Sequence, residues 1–353
     1  MNPNISYKHP HASFKLEGVF YDTIGLSSLA NRLIIEGEDY QVALGHFIIK
    51  WINSSPEISL QTSGSTGTPK TVLMSKQAMV NSAIATGTYF KLKPEDSALS
   101  CLPFEYIAAK MMFVRAYVLG LELDCINPSS NPLKTVSRSY DFCAMVPLQL
   151  ENSIDYLQHI KTLIVGGAKL SNGLKSKLTN SPASIYETFG MTETVSHIAV
   201  KNITKSSSLF EVLPSISVGF DVRNCLTINA PQLVSKPIQT NDVVKLVSST
   251  TFEWVGRYDM IINSGGIKVA PEQLEQQLEG FIEDRFFITS QKDNSFGEIV
   301  VIVIERSIPY EDINFEILEP MKRPKRVYYV DKFKETISRK IKRKETFNLI
   351  KLE

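Results

Sequence analysis

Between Thr62 and Lys70 the chain reads Thr62-Ser63-Gly64-Ser65-Thr66-Gly67-Thr68-Pro69-Lys70, a run of hydroxyls around two glycines that ends on a lysine. Such a loop can turn backbone N–H groups and short hydroxyl donors toward phosphate oxygens from one side. It is not a Walker A loop, because the position before the lysine is Pro69 and not glycine. Nor does a long helix begin at the lysine. Thr71-Val72-Leu73-Met74 has the β-branched, apolar character of a strand, and Ser75 has the chemistry of a helix N-cap. A phosphate loop set between two strands points away from P-loop nucleotide hydrolases.

A second group of residues, Phe189-Gly190-Met191-Thr192-Glu193, supplies the complementary chemistry. Phe189 offers a flat face to an adenine, Thr192 a hydroxyl donor for a phosphate or carboxylate oxygen, and Glu193 an oxygen ligand for Mg²⁺. Taken alone this is a turn with one capping threonine. Paired with the hydroxyl-rich loop, it favours a functional reading over a plain turn.

The elements that must position these residues alternate along the first part of the chain. Asp39 to Ile52 has helical periodicity, and Ile58 to Thr62 is a strand feeding the loop. Ser97 to Leu102, Leu121 to Ile126, Phe142 to Val146, Thr162 to Val165 and Ala183 to Tyr186 are strand-length apolar runs, with helical stretches between most of them. This alternation predicts an α/β domain with a largely parallel sheet. From Phe210 to Val255 the runs shorten and become β-branched, which predicts a small β-rich subdomain. Beyond Arg257 the character changes again: Gly265-Gly266, a helix opened by Pro271, the strand Ile299 to Ile304 and a basic tail. The chain is therefore divided into residues 1–256 and 257–353, an α/β body and a small α+β domain.

Bulk properties narrow the class. The 353 residues are 43% hydrophobic and 21% charged, as in a globular protein of about two domains. A formal net charge of +1 argues against a chain-wide field for nucleic acid. Met1 to Phe14 has no apolar run suited to a secretion signal. The most apolar helical stretch, Ile107 to Leu121, is broken by Lys110 and Arg115, so it does not qualify as a membrane span. Cys101, Cys125, Cys143 and Cys225 are widely spaced with no CxxC pair, and read as reduced, buried thiols of a cytoplasmic protein.

The two motifs together resemble the signatures of the adenylate-forming superfamily, which includes acyl- and aryl-CoA synthetases, peptide-synthetase adenylation domains and luciferases. The resemblance runs from about Ile58 to the end of the chain. It implies a large adenylate-forming domain, with a small mobile domain behind it, and the substrates ATP and CoA with Mg²⁺. By position in the family pattern, Thr62, Ser63, Gly64, Ser65, Thr66, Gly67 and Lys70 would hold phosphates, and Gly166-Gly167-Ala168 would lie against the adenine. Phe189 stands where the family usually has tyrosine, beside Gly190. Asp242 falls where the family places a ribose-binding carboxylate, with Asn241 in place of the usual glycine. In the stretch Gly256 to Val269, Arg257 would meet ribose and phosphate. Asp259 would be the hinge, and Ser264-Gly265-Gly266 would let the pantetheine arm of CoA pass close to the backbone. Lys340 falls at the catalytic lysine, in a segment that keeps Thr336 but lacks the family's proline, arginine and glycine; Lys342 and Lys344 are its competitors.

Within the superfamily, the stretch Met191 to Ala199 and the section ahead of Ile58, shorter than is usual, are similar to the o-succinylbenzoate–CoA ligases of menaquinone biosynthesis. Their acid carries a second carboxylate, which when buried needs a cationic or hydrogen-bonding partner. Arg115, in a helix expected to border the acid pocket, is the leading candidate, ahead of Lys110 and His197. The alternative for both cations is to snorkel to solvent, and for His197 a satisfied core position. Another aryl- or acyl-CoA ligase is the nearest alternative function. A nucleotide- or RNA-binding protein using the basic tail is a more distant one. From Lys322 to Lys344 there are eleven Lys and Arg against Asp331 and Glu335, but Val327, Tyr328, Tyr329, Val330 and Phe333 interleave them as in a packed element. Attraction for the phosphates of ATP and CoA accounts for that charge without nucleic acid. Homo-oligomer formation is left open.

Overall fold

The computed structural model describes residues 6–62, 70–335 and 341–350. The body is built on one large mixed sheet. At its centre the strands Glu122–Cys125, Ser97–Ser100, Tyr140–Met145, Ile160–Val165 and Ser184–Gly190 run parallel, in that order across the sheet. The sheet then continues antiparallel through His197–Asn202, Phe210–Val212, Thr251–Arg257, Ile238–Ser248, Cys225–Asn229 and Ser217–Phe220. The β-rich segment is thus a continuation of the parallel sheet, joined where Ser184–Gly190 pairs with His197–Asn202. That pairing also carries the strand past Tyr186, where the apolar run stops, so that Phe189 and Gly190 lie within it.

Helices cover the sheet for reasons visible in their sequence. Asp39–Ile52 buries Leu44, Phe47, Ile48 and Trp51, one stripe at three- and four-residue spacing. Each such side chain contributes on the order of 1.5–3 kcal/mol when fully withdrawn from water. The start of this helix is fixed by Gln41, whose Oε1 accepts the Glu38 N–H at 2.9 Å. Its C-terminus is met by the buried Lys76, whose Nζ donates to the Asn53 carbonyl and side-chain oxygens at 2.8 and 2.9 Å. Ile107–Leu119 is buried on nearly all sides and stops at Gly120, which is left-handed at φ 76° and could not carry a Cβ, since His11 Nδ1 would lie 2.2 Å away.

Glu57–Thr62 and Lys70–Ser75 form an antiparallel hairpin in which Thr62 faces Lys70, so residues 63–69 join two strands, as the sequence predicts. Ser75 then caps Lys76–Phe90 by accepting the Ala78 N–H. A separate mixed sheet holds Ile267–Val269, Ile262–Ser264, Gly297–Glu305 and Phe286–Asp293, with Arg326–Val330 parallel to Gly297–Glu305. Its helix Pro271–Leu278 and the residue after it dock on the body: Gln276 and Glu279 accept from Asn172 Nδ2 at 3.1 Å and Asn172 N at 2.7 Å. Among the described residues no helix is long and apolar enough to cross a membrane.

Candidate active site

The parallel strands all end on one edge of the sheet, and the motif residues gather there. The Leu102-Pro103 corner follows Ser97–Ser100, Gly166-Gly167-Ala168 follow Ile160–Val165, and Thr192-Glu193 follow Ser184–Gly190. Ligand sites in open α/β sheets form at such carboxyl ends, where loops diverge and backbone groups are free. Gly166 is required by its surroundings, since a Cβ there would lie 2.5 Å from Thr188 Oγ1; Gly167 is left-handed at φ 89°. Phe189 is half-buried and its ring meets Phe210 and Phe252, with centroids 5.7 and 5.4 Å away.

Glu193 sits exposed on the short 3₁₀ turn Thr192–Thr194, with no hydrogen-bond or ion-pair partner among the described residues. A lone accessible carboxylate fits Mg²⁺, which takes one or two protein carboxylates and completes its shell with water and substrate phosphates. No cluster of three metal-ligating side chains occurs among the described residues. After this turn, Val195 adopts φ 70°, ψ −55°, and the Ser196 N–H donates back to the Thr194 carbonyl at 2.7 Å. This is the rare, strained form of γ-turn, and a β-branched residue seldom occupies it. Burial of Val195 and the hydrogen bonds of the Thr194 hydroxyl to Met191 and Ser196 carbonyls hold it there.

The strained turn aims Ser196 and His197 at Arg115. The Arg115 guanidinium donates to Ser196 Oγ at 3.1 Å and lies 3.4 Å from His197 Nδ1, while its Nε has no partner among the described residues. Arg115 is 1% exposed, and burial alone pushes its pKa down to about 9. His197, also buried, touches Thr86 Oγ1 at 3.5 Å through its other nitrogen. Burial first, and the Arg115 charge second, hold its pKa well below the usual imidazole range, so the ring is neutral. Arg115 therefore does not snorkel, and no acidic side chain among the described residues pairs with it. Lys110 lies elsewhere: its ammonium donates to the Glu105 carbonyl at 2.8 Å, close enough to Lys50 to feel its charge.

A second group forms where the antiparallel strands meet the C-terminal sheet. Asp242 and Arg257 are direct cross-strand partners. Asp242 is 7% exposed, and burial raises its pKa against the opposing effect of Trp254, whose Nε1 donates to Oδ1 at 3.0 Å. Arg257 forks onto Asp259, Nε to Oδ1 and Nη2 to Oδ2, each at 3.0 Å. Ser264 is buried, and Gly265 and Gly266 form the two-residue turn of the hairpin Ile262–Ser264 to Ile267–Val269, with φ 56° and 82°. That turn alone requires both glycines. Ser63, Gly64, Ser65, Thr66, Gly67 and Lys340 lie outside the described residues. Trp254, Ser196 and Thr86 escape sequence reading, because strand pairing brings Trp254 to Asp242 and the γ-turn brings Ser196 to Arg115 and His197 to Thr86.

An α/β sheet with glycine and carboxylate loops at its carboxyl edge, followed by a small separate sheet, can present backbone N–H groups and a metal-binding carboxylate to a nucleotide. Residues 58–226 match the family model of AMP-binding enzymes. An AMP-forming acyl-CoA synthetase/AMP-acid ligase II-like protein from Dyadobacter fermentans is 34% identical, with a TM-score of 0.62, covering 92% of this chain and 98% of its own. The chain belongs to the AMP-binding enzyme family. A 2-succinylbenzoate–CoA ligase of Haemophilus influenzae is 24% identical over 279 residues, 72% of this chain; the chain spans 60% of that enzyme's length. The o-succinylbenzoate CoA synthetase of Bacillus subtilis, solved with its acyl-adenylate intermediate, shares the fold with a TM-score of 0.73 at 17% identity, covering 84% of this chain and 69% of its own.

Proposed function

We propose that this protein is an ATP-dependent acid–CoA ligase that forms an acyl-adenylate and then a CoA thioester, with o-succinylbenzoate as its acid, a step of menaquinone biosynthesis. The observation that carries the choice of acid is Arg115, a buried cation beside Ser196 and His197 with no carboxylate partner among the described residues. A dicarboxylic substrate would supply the missing anion and satisfy the free Nε–H. The neutral His197 lies beside Arg115 without adding charge. The relatives named for this substrate support the same reading.

A carboxylate is a poor electrophile, and transfer of AMP makes its carbon attackable while pyrophosphate leaves. Attack on the α-phosphate builds negative charge at the edge of the sheet. Thr192, Lys70 and the loop from Thr62, together with Lys340, offset it. Mg²⁺ held by Glu193 would supply further positive charge there. Asp242 accepts from the ribose hydroxyls, while Arg257 contacts ribose and phosphate on release from Asp259. Residues 257–353 then turn about Asp259 as a unit relative to residues 1–256, and Ser264-Gly265-Gly266 face the pantetheine arm. The protein works in the cytoplasm on small molecules, without nucleic acid.

Pyrophosphate release measured across a panel of aromatic and aliphatic acids tests the proposal. o-Succinylbenzoate should give the highest kcat/KM. A monocarboxylic acid turned over faster would make this another aryl- or acyl-CoA ligase, and ATP binding without pyrophosphate release from any acid would remove the ligase reading.

A further inference from the structure

Asp242 owes its place to an irregularity in the sheet. Cys225 pairs with Val243 and Thr227 with Gln239, so the strand Ile238–Ser248 carries extra residues at 240–242 that have no partner on Cys225–Asn229, while Asp242 keeps its pairing with Arg257 on the other side. Bulges of this kind re-aim a side chain and leave backbone groups to be satisfied by other means. On the inner side the Asp242 N–H donates to Thr240 Oγ1 at 3.0 Å, and Thr240 Oγ1 donates to the Leu226 carbonyl at 2.9 Å. On the outer side the contacts come from one residue. Arg223 Nη2 donates to the Thr240 carbonyl and Nη1 to Asn241 Oδ1, each at 3.1 Å. Its Nε donates to Asp221 Oδ2 at 2.8 Å, and Asp221 Oδ1 in turn accepts the Arg223 and Cys225 N–H groups at 2.8 and 3.0 Å. The guanidinium also lies 5.2 Å from the ring centroid of Tyr258, next to Asp259.

We propose that Arg223 is a positioning residue for ribose recognition, holding the bulge so that the Asp242 carboxylate, fixed at Oδ1 by Trp254, presents its other oxygen to the ribose hydroxyls. This rests on the ribose role given to Asp242 above. The geometry also accounts for Asn241 where glycine is usual: its side chain is the acceptor that Arg223 uses, and a glycine would leave that donor without a partner. A planar guanidinium serves three acceptors on two segments at fixed angles, which an ammonium cannot do.

Binding of ATP and of 2′,3′-dideoxy-ATP, measured by titration calorimetry without acid or CoA, tests it. Wild-type protein should prefer ATP. Arg223→Ala should weaken ATP about tenfold and the dideoxy nucleotide less than about twofold, so that the preference collapses. Arg223→Lys and Asn241→Ala should lie between the two, and they decide the matter should the alanine variant not fold. Equal weakening of both nucleotides, or an unchanged preference, would overturn the proposal. Wild-type protein that binds both nucleotides alike would instead remove the ribose role of Asp242, and this inference with it.

Discussion

The Arg115 guanidinium and the His197 imidazole lie 3.4 Å apart in the interior, where burial first and the cation second keep the imidazole neutral. Neither residue has a carboxylate within reach among the described residues. A buried charge without a counter-ion is costly to the free protein and valuable to an anionic ligand. Arg115→Met, which keeps volume and removes the charge, should raise Tm while increasing KM for o-succinylbenzoate at least about tenfold, on the order of 2 kcal/mol. ATP binding should be nearly unchanged. Equal loss for an analogue lacking the benzoate carboxylate would remove the assignment.

His197 makes the same site sensitive to acid. Its folded pKa is lowered from 6.5, chiefly by burial and secondly by Arg115. The unfolded chain therefore binds a proton below pH 6.5 that the folded protein refuses, and stability falls as pH falls through that range. The loss from this group is on the order of 1.4 kcal/mol per pH unit. His197→Gln should remove it, so the variant gains on wild type between pH 7.5 and about 5.5 in urea unfolding. Parallel pH profiles would show that the ring is not refused its proton.

Gly166 and Thr188 test the close approach at the end of Ile160–Val165. A methyl group at 166 would meet Thr188 Oγ1 at 2.5 Å, an oxygen that donates to the Val165 carbonyl at 3.1 Å. Gly166→Ala should cost about 1–3 kcal/mol in urea unfolding. Combined with Thr188→Ala the loss should be smaller than the sum of the two single changes, because the clash goes with the hydroxyl. Strict additivity would mean that the backbone moves instead.

Much of this arrangement was legible in the sequence, for reasons that differ by residue. Helix Asp39–Ile52 follows from its apolar spacing, and the strand–loop–strand setting of residues 63–69 from Thr71 to Met74 and the cap at Ser75. Arg115 could be singled out because a cation inside an apolar helix needs an explanation, but its neighbours could not. Ser196 and His197 reach it through a γ-turn at Val195, a conformation that valine's own preferences oppose. Trp254 and Arg223 reach Asp242 and its bulge only through pairing between distant strands, whose register no local pattern sets. The strand at Phe189 runs longer than its apolar run because an antiparallel neighbour extends it.

Glu193→Ala should abolish pyrophosphate release while leaving Tm within about a degree or two, since the side chain is exposed and makes no contact among the described residues that folding depends on. The loss should not be rescued by raising Mg²⁺. Near wild-type release by the purified variant would show that the metal is held elsewhere.

Lys340, the proposed catalytic lysine, calls for a sharper measurement than overall activity. On the proposed mechanism its charge is needed while the α-phosphate is attacked, and the same lysine must withdraw before the pantetheine arm can reach the carbonyl. Lys340→Ala should therefore slow adenylation by several orders of magnitude, yet largely spare thioester formation from supplied acyl-adenylate. The competing lysines differ in their surroundings. Lys342 is committed to Glu345 at 3.1 Å, and Arg343 beside it forks onto Glu275 at 2.7 and 2.9 Å. Lys344 is exposed and contributes, after Arg257, to holding the Asp259 carboxyl below its usual range. It is thus the competitor whose charge acts on Asp259, the proposed hinge. Should Lys344→Ala show the selective adenylation defect while Lys340→Ala behaves as wild type, the catalytic lysine is Lys344, and the segment after Thr336 is read out of register.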